Sequence, residues 1–113
     1  MARDDYYVVV YQILAYLYTQ LKAGEPVDPK LLQHNSRYLN INEDYWLYII
    51  EHLLRDGYIE NITITRAWGQ QVLVDDMSRC CITPKGIAYL CDNSFIEKAK
   101  QFLKDVKAIV PFV

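Results

Sequence analysis

Apolar residues recur at helical spacing in three long stretches of the chain and alternate in a shorter one. Val10, Ile13, Leu14, Leu17 and Leu21 share one helical face. The acids Asp4 and Asp5 suit the start of that helix, and Gly24 followed by Pro26 suits its stop. The spacing therefore predicts a helix from Asp4 or Asp5 to Ala23. Val8-Val9-Val10 has strand propensity, which makes the first turn its least regular part. Tyr7, Tyr11 and Tyr18 widen the apolar surface beyond the needs of a helix with one free face. Trp46, Ile49, Ile50, Leu53 and Leu54 form a second stripe. Asn42 is its expected N-cap, Glu43 and Asp44 complement the helix dipole, and Gly57 is the expected stop. A third stripe, with Phe95, Ile96, Ala99, Phe102, Leu103 and Val106, predicts a last helix from about Phe95 to Ala108.

The connecting segments give the order of the fold. GEPVDPK reads as a loop. Asp28 then caps a short helix with Pro29 at its first position and Leu31 and Leu32 inside it. That helix ends near His34-Asn35-Ser36 and takes the place of the first helix of a helix-turn-helix. Leu39 and Ile41 tuck inward from the following RYLNI. Tyr58 to Arg66 alternates, with Ile62 and Ile64 on one side and Thr63 and Thr65 on the other. Arg79 to Thr83 is a second strand. Val72-Leu73-Val74 is a further strand or the return of a long wing. Thr83 caps a helix that starts at Pro84 and turns Ile87 and Leu90 inward. Asn42 to Gly86 thus reads helix, strand, hairpin, strand, helix. The predicted class is α+β, a winged helix-turn-helix with an additional C-terminal helix. One domain spans residues 1–113, with 94–113 as the helical extension.

Composition refines this picture. A chain of 113 residues, 52% of them hydrophobic, can build one core without metal or disulfide support. Its ten tyrosines suit small cores and interfaces alike. The formal charge of −2 removes the simplest argument for a nucleic-acid partner. Cys80, Cys81 and Cys91 are an odd set without framework spacing, which points to reduced thiols in a cytoplasmic setting. Val8 to Tyr18 is apolar enough for a signal-peptide core. Asp4 and Asp5 before it, and the lack of a small-residue cleavage site after it, argue against secretion. No apolar run reaches the roughly 18 residues of a membrane span.

Enzyme chemistry finds little material. His34 and His52 lie near no cysteine or second histidine at metal-ligand spacing. Asp75 and Asp76 read as a solvated turn. Gly24, Gly57, Gly69 and Gly86 are isolated stops and turns rather than a phosphate loop. The expectation is a non-enzyme with no catalytic residue, no metal and no cofactor.

Four segments also resemble a known family. The early ILAYLY, the central EDYWLYIIEHLLRDGYIE, the RAWG segment and ITPKGIAYL occur in that order and cover most of the chain. They resemble the YjcQ family of small proteins, found in low-GC Gram-positive bacteria and their prophages. The resemblance implies a winged-helix fold and brings no catalytic residues with it.

A winged helix invites a DNA reading, which the charge pattern complicates. Opposite the core stripe of the central helix lie Asp44, Tyr48, Glu51 and Arg55, flanked by Tyr45, His52 and Leu47. Its N-terminal half, where base contacts usually occur, is the acidic half. Glu51 also sits four residues before Arg55, a favourable pair that neutralises the arginine. The wing is better supplied. If Tyr58–Arg66 pairs with Arg79–Thr83, then Arg66 and Arg79 stand together at its start, with Trp68, Gln70 and Gln71 beyond. For Trp68 the favoured reading is that it folds back onto the core, since a free tryptophan is costly in water. Candidate nucleic-acid contacts are therefore Tyr48, His52, Arg55, Arg66, Gln70, Gln71 and Arg79. Lys100, Lys104 and Lys107 form a further basic flank, or a solvated face. Candidate partner contacts are Tyr45, Trp68, Phe95, Phe102, Leu103 and Val106, and a homodimer would use the first and last helices. The leading reading is a DNA-binding regulator of a phage or mobile element. The alternative is a protein–protein interaction module without DNA readout.

Overall fold

In the computed structural model, residues 2–66, 72–75 and 77–105 are described. They form an α+β globule that is mostly helical, with two small two-stranded sheets. The helices are α1 (Tyr6–Ala23), α2 (Glu43–Arg55), α3 (Pro84–Asp92) and α4 (Ser94–Asp105). The strands are β1 (Ile59–Glu60), β2 (Ile64–Arg66), β3 (Val72–Val74) and β4 (Cys81–Ile82). None of the described helices is long and apolar enough to cross a membrane.

α1 starts after Asp5 and stops at Gly24, whose φ of 68° is the left-handed conformation that glycine adopts freely. Every residue from Val8 to Leu17 is buried, so the helix is covered on all sides. α3, α4 and β4 all pack on it. Its one buried polar side chain, Gln12, is 3% exposed. Gln12 Nε2 donates to the Tyr38 carbonyl at 3.2 Å, and Tyr38 Oη donates to the Gln12 carbonyl at 2.6 Å. Leu21 departs from the expected core stripe and is 49% exposed. It lies in the last turn, beyond the buried stretch that ends at Leu17.

The expected short helix after Asp28 is a single 3-10 turn, Pro29–Leu32, capped by Asp28 Oδ1 accepting from Lys30 N–H at 3.0 Å. Ser36 explains why regular helix does not continue. Its hydroxyl donates to the Leu31 carbonyl at 3.2 Å and accepts from Leu39 N–H at 3.0 Å, a local alternative to helical bonding. Leu39 is buried and Ile41 packs against the core, as the pattern predicts.

α2 follows its sequence signals closely. Asn42 Oδ1 accepts from the N–H groups of Asp44 at 2.8 Å and Tyr45 at 3.4 Å. Trp46, Ile49, Ile50 and Leu53 are buried, and Leu54 is half-buried. Trp46 Nε1 donates to the Leu32 carbonyl at 2.7 Å. At the far end Tyr58 N–H reaches the Leu53 carbonyl and Gly57 takes a φ of 78°, a Schellman-type stop.

The expected strand from Tyr58 to Arg66 divides in two. Asn61 adopts a φ of 67°, which interrupts the extended backbone. β1 therefore pairs with β4, with Ile59 opposite Ile82 and Glu60 opposite Cys81. β2 pairs with β3, with Ile64 opposite Val74, Thr65 opposite Leu73 and Arg66 opposite Val72. The VLV run is thus the return strand for β2.

The start of α3 docks on the end of α2. Thr83 Oγ1 donates to the Gly57 carbonyl and accepts from Gly86 N–H at 3.0 Å. Thr83 N–H donates to the Tyr58 carbonyl at 3.1 Å. Gly86 passes so close that a Cβ on it would lie 2.2 Å from that carbonyl oxygen. Gly86→Ala is therefore expected to cost about 3 kcal/mol, since backbone must shift to admit the methyl. Urea unfolding checks this; an unchanged midpoint contradicts the close contact.

Cys80 is buried, Cys81 partly so, and Cys91 exposed, all as free thiols. Burial pushes the Cys80 thiol from 9.0 up to about 12, with Cys81 and Asp75 adding to the shift. Burial likewise raises Tyr38, helped by Tyr11 and Tyr16. Above pH 9 the unfolded chain then binds fewer protons than the folded one. The stability present below pH 9 is lost as pH rises towards about 12. Denaturant midpoints measured from pH 8 upward are expected to fall across that window, and a flat profile contradicts the assignment.

Candidate functional site

The exposed face of α2 is organised by one carboxylate. Glu51 receives the guanidinium of Arg66 from β2 and that of Arg55, one turn along the helix at 3.6 Å. Both arginines keep 63% of their side chains exposed, against 28% for Glu51. The Glu51–Arg55 pair was legible from its spacing; the arrival of Arg66 was not. One acid thus serves two of the residues proposed from sequence to meet nucleic acid.

Tyr48 stands beside this cluster and is 54% exposed. The His52 ring lies against it with centroids 4.1 Å apart, and His52 Nδ1 is 2.8 Å from the Tyr48 carbonyl. That contact needs the tautomer, or the charged form, with a proton on Nδ1. Tyr45 takes a different direction. Its hydroxyl donates to the Asp4 carbonyl at 2.8 Å, joining α2 to the chain before α1. Desolvation, then Asp4 and Asp5, raise its pKa.

Arg66 and Arg79 are not cross-strand partners. Arg66 stands opposite Val72. Arg79 belongs to a 3-10 turn, Met77–Arg79, that lies near the earlier 3-10 turn Pro29–Leu32. The break at Asn61 is the reason, because it assigns the two halves of the expected strand to different ladders. Arg79 is exposed and has no ion pair among the described residues. Trp68, Gln70, Gln71 and Val106 lie outside the described residues.

Among the other partner candidates, Leu103 is buried with Ile96 and Ala99 on the face of α4 that meets α1. Phe102 is half-buried against the core, and Phe95 is 49% exposed. Phe95 leads to a feature that sequence patterning missed. Its ring stacks on Tyr7 with centroids 5.0 Å apart and planes 16° from parallel. Tyr7 meets Tyr6 edge-on at 5.2 Å. Tyr58 and Tyr89 stack at 4.3 Å. Desolvation raises the Tyr89 pKa first, followed by the influence of Tyr7, Tyr6 and Tyr58, so the two ring pairs adjoin. Desolvation raises the Tyr6 pKa first, followed by Tyr7, Asp56, Tyr48 and Tyr58.

The Tyr6–Tyr7–Phe95 rings and the Tyr58–Tyr89 pair form a strip over the start of α1, the start of α4 and the second half of α3, and the Tyr48 ring on α2 stands against His52. Lysines edge it. Lys98 Nζ lies 5.4 Å from the Phe95 ring centre, and Lys85 Nζ lies 5.3 Å from that of Tyr58. Lys85 also donates to the Asp56 carbonyl at 2.7 Å. The strip draws on four elements far apart in sequence, and no single helical or strand period contains it. The adjacent Tyr6-Tyr7 at a helix start and Tyr58 just after Gly57 were its only local signs.

Among the described residues, no three His, Cys, Asp or Glu side chains gather where they could hold a metal ion. The arrangement offers aromatic faces, phenolic hydroxyls and a charge cluster built around Glu51.

Comparison with curated proteins and with solved structures yields no match. The family model described as YjcQ protein matches residues 11–109. By that match, which takes in α1 from its second turn and every later described element, the chain belongs to the YjcQ family.

Proposed function

We propose that this protein is a winged-helix module that docks a protein partner on its aromatic strip. The winged-helix part of the reading rests on element order. α2, the β1–β4 pair enclosing the β2–β3 pair, and α3 follow one another as helix, wing and helix, with a 3-10 turn in the place of the first helix. The single observation that carries the docking reading is the exposure of Phe95 at the end of the Tyr6–Tyr7–Phe95 row, together with that of Tyr48, whose ring is packed on His52. Rings already stacked on neighbours lose little rotamer freedom on binding, and tyrosine is enriched where interfaces gain most energy. The partner would present apolar side chains to the rings and acceptors to their hydroxyls.

A second reading, duplex DNA on the wing, is favoured by Arg66, Arg55 and Arg79. It is weakened by Glu51, which already compensates the first two, and by Glu43 and Asp44 in the first turn of α2. Phosphate affinity comes largely from cations free to replace counterions.

The two readings part in solution. Titration of labelled random duplex at about 50 mM salt is expected to give no binding at tens of micromolar protein. DNA readers of this architecture bind non-specifically at about 10⁻⁴ to 10⁻⁶ M even at physiological salt. Saturable binding in that range would restore DNA. Tyr48→Ala with Phe95→Ala is expected to release a partner that the wild type retains on an affinity column, with the far-UV circular dichroism unchanged. Identical retention by both would remove the strip from the reading.

Glu51 has its own test. Glu51→Gln is expected to cost no more than about 1 kcal/mol, because both arginines are largely exposed and solvent screens the pairs. Urea unfolding measures it, and a loss several times larger would mean that the cluster anchors β2.

A further inference from the structure

The chain has a formal charge of −2, yet three of its lysines surround one cleft. The cleft lies between α1, the end of α3 and α4, and Tyr48, Tyr7 and Phe95 are not among its lining residues. Its volume is about 450 Å³, within the range of about 300–1,000 Å³ usual for small-molecule sites. Tyr11 and Ala15 of α1 and Ile96 of α4 form a floor that is buried and largely apolar. Lys22 reaches it from the last turn of α1. Lys100 and Lys104 reach it from α4, four residues apart and so on one flank of the helix.

No Asp or Glu pairs with Lys22, Lys100 or Lys104 among the described residues. Lys22 Nζ instead lies 4.3 Å from the centre of the Tyr18 ring. The one carboxylate lining the cleft, Glu97, accepts from Gln101 Nε2 at 3.4 Å. The cleft therefore carries three ammonium groups against one carboxylate. An anion entering the cleft would meet three lysines that no carboxylate pairs among the described residues. An anion alone would leave the apolar part of the cleft unfilled. A ligand with an apolar body and an anionic head satisfies both parts of the site, whereas a nucleic-acid backbone has no apolar body to cover the floor.

We infer that this cleft binds a small amphipathic anion: an aromatic or short aliphatic body bearing a carboxylate, sulfonate or phosphate. The inference is independent of the docking strip, whose residues the cleft does not share.

Two probes with the same rings test it on the full chain. 8-Anilinonaphthalene-1-sulfonate is expected to bind with a Kd below about 1 mM and to shift the amide resonances of Tyr11, Ala15 and Ile96. N-phenyl-1-naphthylamine, which lacks the sulfonate, is expected to bind at least about tenfold more weakly. Lys22→Gln with Lys104→Gln is expected to weaken the anionic probe by at least about tenfold and leave the neutral one unchanged. Equal affinity for the two probes overturns the inference. So does unaltered binding in the variant, a shift map centred elsewhere, or no binding at millimolar concentration. Should the double variant unfold, the comparison of the two probes on the native chain decides.

Discussion

A helix buried on every side has to be surrounded, and that requirement shapes this molecule. Val8 to Leu17 are all shielded from water. Fully burying a valine, leucine or isoleucine side chain contributes about 1.5–3 kcal/mol, so this stretch is the largest apolar reservoir in the domain. Its one liability is Gln12. An unbonded buried amide costs about 1–3 kcal/mol, and the bond from Gln12 Nε2 to the Tyr38 carbonyl offsets that cost, while Tyr38 Oη binds the Gln12 backbone carbonyl. Those bonds also tie the irregular segment before α2 to the centre of α1. Tyr16 adds a second tie by accepting from Asp28 N–H at 2.8 Å.

With α1 in the middle, α2 is left as a one-faced helix. Trp46, Ile49, Ile50 and Leu53 face inward, and the opposite face meets solvent. That outer face is held at three points. Tyr45 binds the chain before α1, Glu51 binds β2, and Gly57 with Tyr58 receives Thr83 and Gly86. These ties join α2 to the chain before Tyr6 and to the start of α3, beside Tyr58. The aromatic strip borders these anchors, since Tyr6 opens α1 just after Asp4 and Tyr58 carries the carbonyl that meets Thr83.

The parts of this fold that were legible in sequence are those that local chemistry determines. Asn42, Gly57, and Thr83 with Pro84 each act on backbone groups within a few residues, so their roles could be read directly. The strand break could not. Asn61 is a residue that tolerates positive φ, but Ile62 and Ile64 continue the alternation past it and conceal the change of partner. The 3-10 turn after Asp28 escaped because Ser36, several residues later, supplies the competing bonds. Among candidate site residues, Arg55 could be placed beside Glu51 from spacing alone. Arg66 reaches the same carboxylate only through the register of β2 with β3 and the path of the chain between α2 and that ladder. The strip is the extreme case, since Tyr7 and Phe95 are separated by most of the chain.

Glu51 also separates the two functional readings on energetic grounds. For Arg55 and Arg66 to engage phosphates they must share or leave a carboxylate that already holds them. If they leave, Glu51 remains at the contact surface with Glu43 and Asp44 on the same helix, and each acid repels the duplex. If they share, the three side chains carry a net charge of only about +1 between them, where an unpaired arginine couple would carry about +2. Docking on the tyrosine strip requires neither step. Its gain comes from covering rings already positioned by their neighbours, and it leaves the Glu51 cluster intact as a polar rim. The ion pairs that count against base reading by α2 are compatible with the proposed role of the same face beside an aromatic interface.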